Sequence, residues 1–230
     1  ATRAIPSAVS AQTQSADIST TTVTMTAKTA TLATYGVNAE LAIQALGSRG
    51  ASMAVAQELA GSLARTVDAA ITTLFTSFTA SGNDITTALT IADFWKGVAE
   101  LDASGYVGRK VAVFHPISWN HIGQGLLDYS HPNGQATNFI STGFVGNVGG
   151  VDIFVSPWVE TSSSGADEYA HNWMGFDHAI GLGYRNPIIE LHEPQLNPIN
   201  ATYGFLATAL FSAIEVTDGA GYELPGLIGG

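Results

Sequence analysis

Six histidines, His115, His121, His131, His171, His178 and His192, are the first residues to test for chemistry. Neutral imidazole serves as a general base and as the commonest metal ligand, so spacing decides which role is open. His115 and His121 stand six apart across an expected strand-to-helix junction. His171 and His178 stand seven apart on expected strands, which sends their side chains to opposite faces. No pair has the His-Glu-x-x-His spacing of a helical metal site. Asp152 and Asp177 lie on or beside strands, so a metal-dependent hydrolase built from His and Asp is the enzymatic reading that survives. It predicts bound metal, or loss of turnover when His115 or His178 is changed to Ala. The spacings fit ordinary core and surface histidines better. We therefore assign no catalytic residue, no metal ligand and no cofactor, and expect a protein that is not an enzyme.

Other nucleophiles and anion cradles are scarce. With no cysteine, thiolate metal sites, disulfides and cysteine nucleophiles are excluded. No Gly-x-Ser-x-Gly elbow occurs. The stretch GFVGNVGGVDIFVSPWV, residues 143–159, is glycine-laden, yet it fits neither Gly-x-Gly-x-x-Gly nor Gly-x-x-x-x-Gly-Lys. Val151, Ile153 and Val155 alternate with Asp152, Phe154 and Ser156, the period of a half-buried strand. Gly146, Asn147, Gly149 and Gly150 tolerate positive φ, so the stretch reads as a hairpin rather than a phosphate cradle.

Composition narrows the partners. The chain carries a net charge of −11 over 230 residues, which argues against sequence-independent DNA binding. Charged residues make up only 12%, about half the ~25% of ordinary domains. Since interface cores are poor in charge, cover by other subunits is one explanation and a Ser/Thr-rich surface is the other. No apolar run approaches a membrane span, and the first thirty residues lack the layout of a signal peptide.

The elements that would position these residues begin with an extended arm, residues 1–36. Eight of the fifteen residues from Thr20 to Thr34 are threonine, which favours pleated strands. Large apolar side chains are too few there to offset the ordering entropy, so a neighbouring chain is the expected support. Asn38 to Gly47 reads as a short capped helix. A long helix follows from about Ser52 to Phe78, its apolar face formed by Leu59, Leu63, Val67, Ile71, Leu74 and Phe78. A second amphipathic helix starts at a Thr90/Asp93 capping box and buries Ile91, Phe94, Trp95, Val98 and Leu101. RKVAVF is a strand and Pro116 opens a helix to Leu127. After the hairpin, TSSSGADE reads as a loop, followed by strands at Tyr169–Phe176, His178–Tyr184 running on to Glu193, and 201–216. Glycines make the tail from Thr217 a frayed end. Helices come early and strands late, which is α+β.

Four stretches in this order resemble the major capsid proteins of tailed bacteriophages. TTTVTMTAKTATLATYGVNAELAIQAL is similar to the returning strand of that family's extended loop and its short helix. GASMAVAQELAGSLARTVDAAITTLF resembles its spine helix. IADFWKGVAELDASGYVGRKVAVFHPISWNHIGQGL resembles the helix, strand and helix of its axial domain, and GFVGNVGGVDIFVSPWV that domain's hairpin. The likeness runs over residues 15–218. It departs from the family at the start, where the arm and outgoing strand that usually precede this segment are short or missing.

The resemblance implies an α+β tailed-phage major capsid fold with extended loop or arm, long spine helix, peripheral domain and axial domain. It divides the chain into residues 1–36 (extended arm), 37–85 (peripheral domain with spine helix), 86–192 (axial domain) and 193–230 (return strand and tail). The implied function is a self-assembling structural subunit of an icosahedral shell around double-stranded DNA, with an encapsulin-like nanocompartment subunit as the alternative. Partners would be copies of itself in hexamers and pentamers, with scaffolding, portal and cement or decoration proteins. The DNA would be enclosed without sequence-specific binding, no membrane is involved, and the location is the virion capsid, assembled in the host cytoplasm. Expected subunit contacts are Thr22, Val23, Thr24, Met25 and Lys28 on the arm, and Asp128, Tyr129, His131 and Asn133 in a loop near the symmetry axis. Some members join subunits by a Lys–Asn isopeptide bond, for which Lys28, Asn197 and Asn200 are the candidates.

Overall fold

The computed structural model describes residues 2–3, 25–42, 49–82, 85–128, 144–197 and 200–229. In chain order the elements are β1 (Thr2–Arg3), β2 (Met25–Thr26), β3 (Ala33–Ala42), α1 (Arg49–Thr72), α2 (Ile91–Ala103), β4 (Lys110–Phe114), α3 (Pro116–Asp128), β5 (Phe144–Val148), β6 (Val151–Val155), β7 (Thr161–Ser164), β8 (Asp167–Phe176), β9 (Ile180–Leu191), β10 (Gln195–Asn197), β11 (Thr202–Glu215) and β12 (Gly221–Gly229). The α+β class follows directly, with the strands gathered into three sheets.

The helix α1 packs on a four-stranded sheet built around β11. β11 pairs with β3 along one edge and with β9 and β10 along the other, all antiparallel. Its odd-numbered residues Phe205, Ala207, Ala209 and Phe211 meet Leu59 and Leu63 of the helix in one core. The predicted apolar face of the helix is thus real, and it changes at its end. Residues Thr73–Ser77 tighten into a 3-10 turn, which turns Phe75 into the core where Leu74 was expected.

The larger, six-stranded sheet has the order β12-β8-β4-β6-β5, with β7 added to β8. Only β4 and β6 run parallel, because α3 and β5 lie between them in the chain. One face, with Ala112, Phe114, Ile153 and Met174, is covered by Phe94, Val98 and Leu101 of α2 and by Trp119 and Ile122 of α3. The other face is covered at one end, where Phe75 stacks on Trp173 at 5.4 Å. The Thr90/Asp93 capping box forms as expected, with both reciprocal hydrogen bonds present. The hairpin forms too, and positive φ at Gly149 (60°) and Gly150 (82°) makes its turn.

Four expectations are corrected. Residues Asn38–Ala42 do not begin a helix: they continue β3, whose ten residues pair with β11 from Ala33↔Phe211 to Ala42↔Thr202, while residues 43–47 of the expected helix lie outside the described residues. Helix propensity in NAELA loses to a long cross-strand partner. TSSSGADE is a β-hairpin, with Thr161–Ser164 paired to Asp167–Ala170 around Gly165. Trp95 is 44% exposed and not core; its ring lies over Gly149, where a Cβ would come within 2.4 Å of it. The glycine-rich tail is not frayed, since β12 is mostly buried and pairs with β8 from Gly221↔Gly175 onward. Its glycines permit close packing: a Cβ on Gly221 would lie 2.3 Å from the Phe78 ring.

Candidate assembly interface

The extended segment approaches the body across the face of the smaller sheet that α1 leaves open. Leu32 and Ala30 pass over Gly183, at 3.6 and 3.7 Å from where its Cβ would stand. Lys28 Nζ then donates to Glu215 Oε1 at 2.6 Å, anchoring the segment at the far end of β11. Beyond this point β1 and β2 form a two-stranded antiparallel sheet, with no third strand among the described residues, Thr2↔Thr26 and Arg3↔Met25. Among the described residues the partner of β2 is the two-residue β1.

Apolar exposure gathers around the same sheet. Leu32, Tyr35, Tyr184, Leu191, Leu196 and Leu206 are all large, apolar and exposed. They lie on β3, β9, β10, β11 and the approach to β3. By register Tyr35, Tyr184, Leu191 and Leu196 fall on the face that carries α1 and Leu206 on the other, so the exposure is spread over both faces of the sheet.

The other expected contact residues fall as follows. Met25 is in the β1–β2 ladder and Asp128 closes α3. Thr22, Val23, Thr24, Tyr129, His131 and Asn133 lie outside the described residues. Asn197 ends β10 opposite Thr202, and Asn200 sits in the exposed turn before β11. Lys28 is bound at the opposite end of β11, roughly 40 Å away at ~3.3 Å per residue. One chain thus does not bring Lys28 and either asparagine together.

The histidines disperse. His115 is half-buried, its backbone N–H donating to Asn172 Oδ1 at 2.7 Å. Burial pushes its pKa down, and the charge of Glu168 opposes that in part. His121 has a buried Nδ1 with no hydrogen-bond partner among the described residues. His178 lies beside Asp177 and stacks on Phe176, and His192 Nε2 meets Thr208 Oγ1 at 2.8 Å. His171 touches Ser162 and Glu223. Among the described residues no three of His, Cys, Asp and Glu converge as a metal site.

Asp152 organises the hairpin. It accepts from Asn147 Nδ2 at 2.9 Å and from Arg109 Nε at 2.5 Å. The Asn147 bond first, then Arg109, holds its carboxyl below the usual range. Sequence spacing singled out Asp152 without its partners, because Arg109 comes from the approach to β4.

Comparison with known proteins agrees with this architecture. The family model described as phage capsid protein matches residues 25–225. No curated protein sequence matches. The head structure of Helicobacter pylori bacteriophage KHP40 is similar with a TM-score of 0.72 at 10% identity, covering 99% of this chain and 83% of that one. The acidic stable capsid structure of Helicobacter pylori bacteriophage KHP30 gives 0.73 at 10% identity, over 99% and 84%. The SrpI encapsulin complex from Synechococcus elongatus gives 0.63 at 12% identity, over 84% and 70%.

Proposed function

The chain belongs to the phage capsid protein family and has the tailed-phage major capsid fold, and from that premise we propose that it is the subunit of an icosahedral shell enclosing double-stranded DNA. Its role is structural. The family match over residues 25–225 is the observation that carries the reading. The exposed apolar side chains and the self-paired β1–β2 segment support it, since both gain from a neighbouring copy. In this reading α1 is the spine helix, the sheet around β11 is the peripheral domain, and the larger sheet with α2 and α3 is the axial domain. The segment with Thr22, Val23, Thr24, Met25 and Lys28 contacts an adjacent subunit. Asp128, Tyr129, His131 and Asn133 approach the symmetry axis. Any bond from Lys28 to Asn197 or Asn200 would form between subunits, because one chain holds them apart.

A net charge of −11 suits a container whose wall does not grip its DNA. Portal, scaffolding and decoration proteins are the expected partners, and assembly takes place in the host cytoplasm. Among the described residues no helix is long and apolar enough to cross a membrane. A second reading, an encapsulin-like compartment, is favoured by the similarity to the encapsulin fold. Electron microscopy and sedimentation of the purified protein test for closed shells. Nuclease-protected DNA inside particles isolated from their natural source supports the capsid; protein cargo without DNA supports the compartment. A monomer under all assembly conditions overturns both.

A further inference from the structure

A hydroxyl, an imidazole and a carboxylate line up on the larger sheet, on the face away from α2 and α3. Ser162 Oγ lies 2.9 Å from His171 Nε2, and His171 Nδ1 lies 2.6 Å from Glu223 Oε1. The residues come from three strands, β7, β8 and β12, and the register brings them to one face: Ser162 opposes Tyr169, and Glu223 is two residues from the partner of His171. The His171 and Glu223 side chains are only 13% and 12% exposed, while Ser162 on the edge strand is partly open. The Tyr169 ring meets the imidazole edge-on at 5.2 Å and fixes its plane.

The hydrogen-bond logic sets the chemistry. An ionised Glu223 only accepts, so Nδ1 carries the hydrogen. Nε2 of the neutral ring is then an acceptor, and the Ser162 hydroxyl donates to it. This is the relay that turns a hydroxyl into a nucleophile. Glu160 stands opposite His171 on the same face, bonded through its backbone at 2.9 Å. Its Oε2 is buried without a hydrogen-bond partner among the described residues. The β7–β8 ladder directs the Ser163 amide N–H away from β8.

We propose that Ser162 is an activated hydroxyl that accepts acyl groups from carboxylic esters, with His171 as its base and Glu223 as the positioning residue. Oγ bonds to the ester carbonyl carbon while its proton passes to His171 Nε2. The tetrahedral adduct then collapses: the C–O bond to the leaving group breaks, and the alcohol or phenol departs with the proton from His171. The products are an O-acyl serine and the free alcohol or phenol, with no other reactant.

The test uses p-nitrophenyl acetate on the full chain, with peptide mapping of acetyl groups. Ser162 is expected to acetylate on the order of 100-fold faster than Ser163 and Ser164, its exposed neighbours on the same strand. H171Q is expected to abolish the difference, and E223Q to reduce it while E223D restores it. Acetylation of Ser162 less than about tenfold faster than these neighbours overturns the proposal, and that comparison within the unaltered chain needs no variant to fold. Unchanged Ser162 reactivity in folded H171Q overturns it equally.

Discussion

Asn172 is fully buried with every polar atom engaged. Its Oδ1 accepts from the His115 amide, and its Nδ2 donates to Ser118 Oγ and to the carbonyls of Ala170 and Leu224 at 3.1–3.2 Å. One side chain therefore ties β8 to the start of α3 and to β12. Asn172→Ala strands the amide, the hydroxyl and a carbonyl away from water, at about 1–3 kcal/mol for each group left unpaired. We expect a loss of roughly 3 kcal/mol in urea unfolding of the unassembled subunit. A loss under 1 kcal/mol would show that water enters and replaces the bonds. His115 beside it gives a pH effect. Burial lowers its folded pKa, so the unfolded chain binds the proton first as pH falls. The stabilisation is complete above the ordinary value near ~6.5 and is lost as pH drops through the lower folded value. His115→Gln is expected to flatten that part of the stability–pH curve; an unchanged slope refutes the assignment. Asp152 adds a more acidic limb, lost as pH falls through its own lowered value. Residue-level contacts were the least legible feature of the sequence. Ser162, His171 and Glu223 lie 9 and 52 positions apart and share no motif, so only strand register unites them.

Elements were legible where the pattern is local. The helix period of α1, the cap of α2 and the glycine turn between β5 and β6 each carry their cause within a few residues. β3 and β12 do not. In β3 the alternation of Tyr35, Val37, Ala39 and Leu41 is blurred by a small alanine, and the deciding partner is about 170 residues away. In β12 the glycines look like a loose tail until Phe78 and Leu89 are seen to occupy the space their side chains would fill. β12 covers one whole edge of β8 and contributes Tyr222 and Leu224 to the core. Removing residues 221–230 would uncover that edge and the apolar face beneath it. We expect the truncated subunit to lose cooperative urea unfolding and to be cleaved rapidly by protease. Gly221→Val is the milder probe, since its side chain collides with the Phe78 ring at 2.3 Å. It is expected to cost about 1–3 kcal/mol by overpacking, and wild-type stability in this variant would contradict the packing of β12.

At the scale of the whole molecule, the two cores lie within one chain, and the proposed assembly role falls to the extended segment. Both sheets bury their own apolar faces against helices of the same chain. By contrast, among the described residues β1 and β2 pair only with each other, and a two-stranded ribbon is marginal by itself in water. The Thr-rich composition had pointed there, though not to the root at Lys28 and Glu215, which joins residues 187 apart. Deleting residues 1–26 keeps that root and removes the ribbon. The expected subunit keeps its unfolding free energy within about 0.5 kcal/mol of the parent, because the buried core residues among those described all lie after Thr26, but forms no closed shells by sedimentation and microscopy. Lys28→Ala is the complementary change. The pair is partly exposed, Lys28 at 36% and Glu215 at 18%, so its loss costs no more than about 1 kcal/mol of subunit stability. Its effect on assembly is expected to be larger, since it frees the segment from a fixed exit direction and adds an ordering cost to each neighbour contact. Fewer or slower shells from a normally stable Lys28→Ala subunit bear this out. Normal shells from the 1–26 deletion would remove the segment from the interface and leave the exposed leucines and tyrosines of the smaller sheet to carry it.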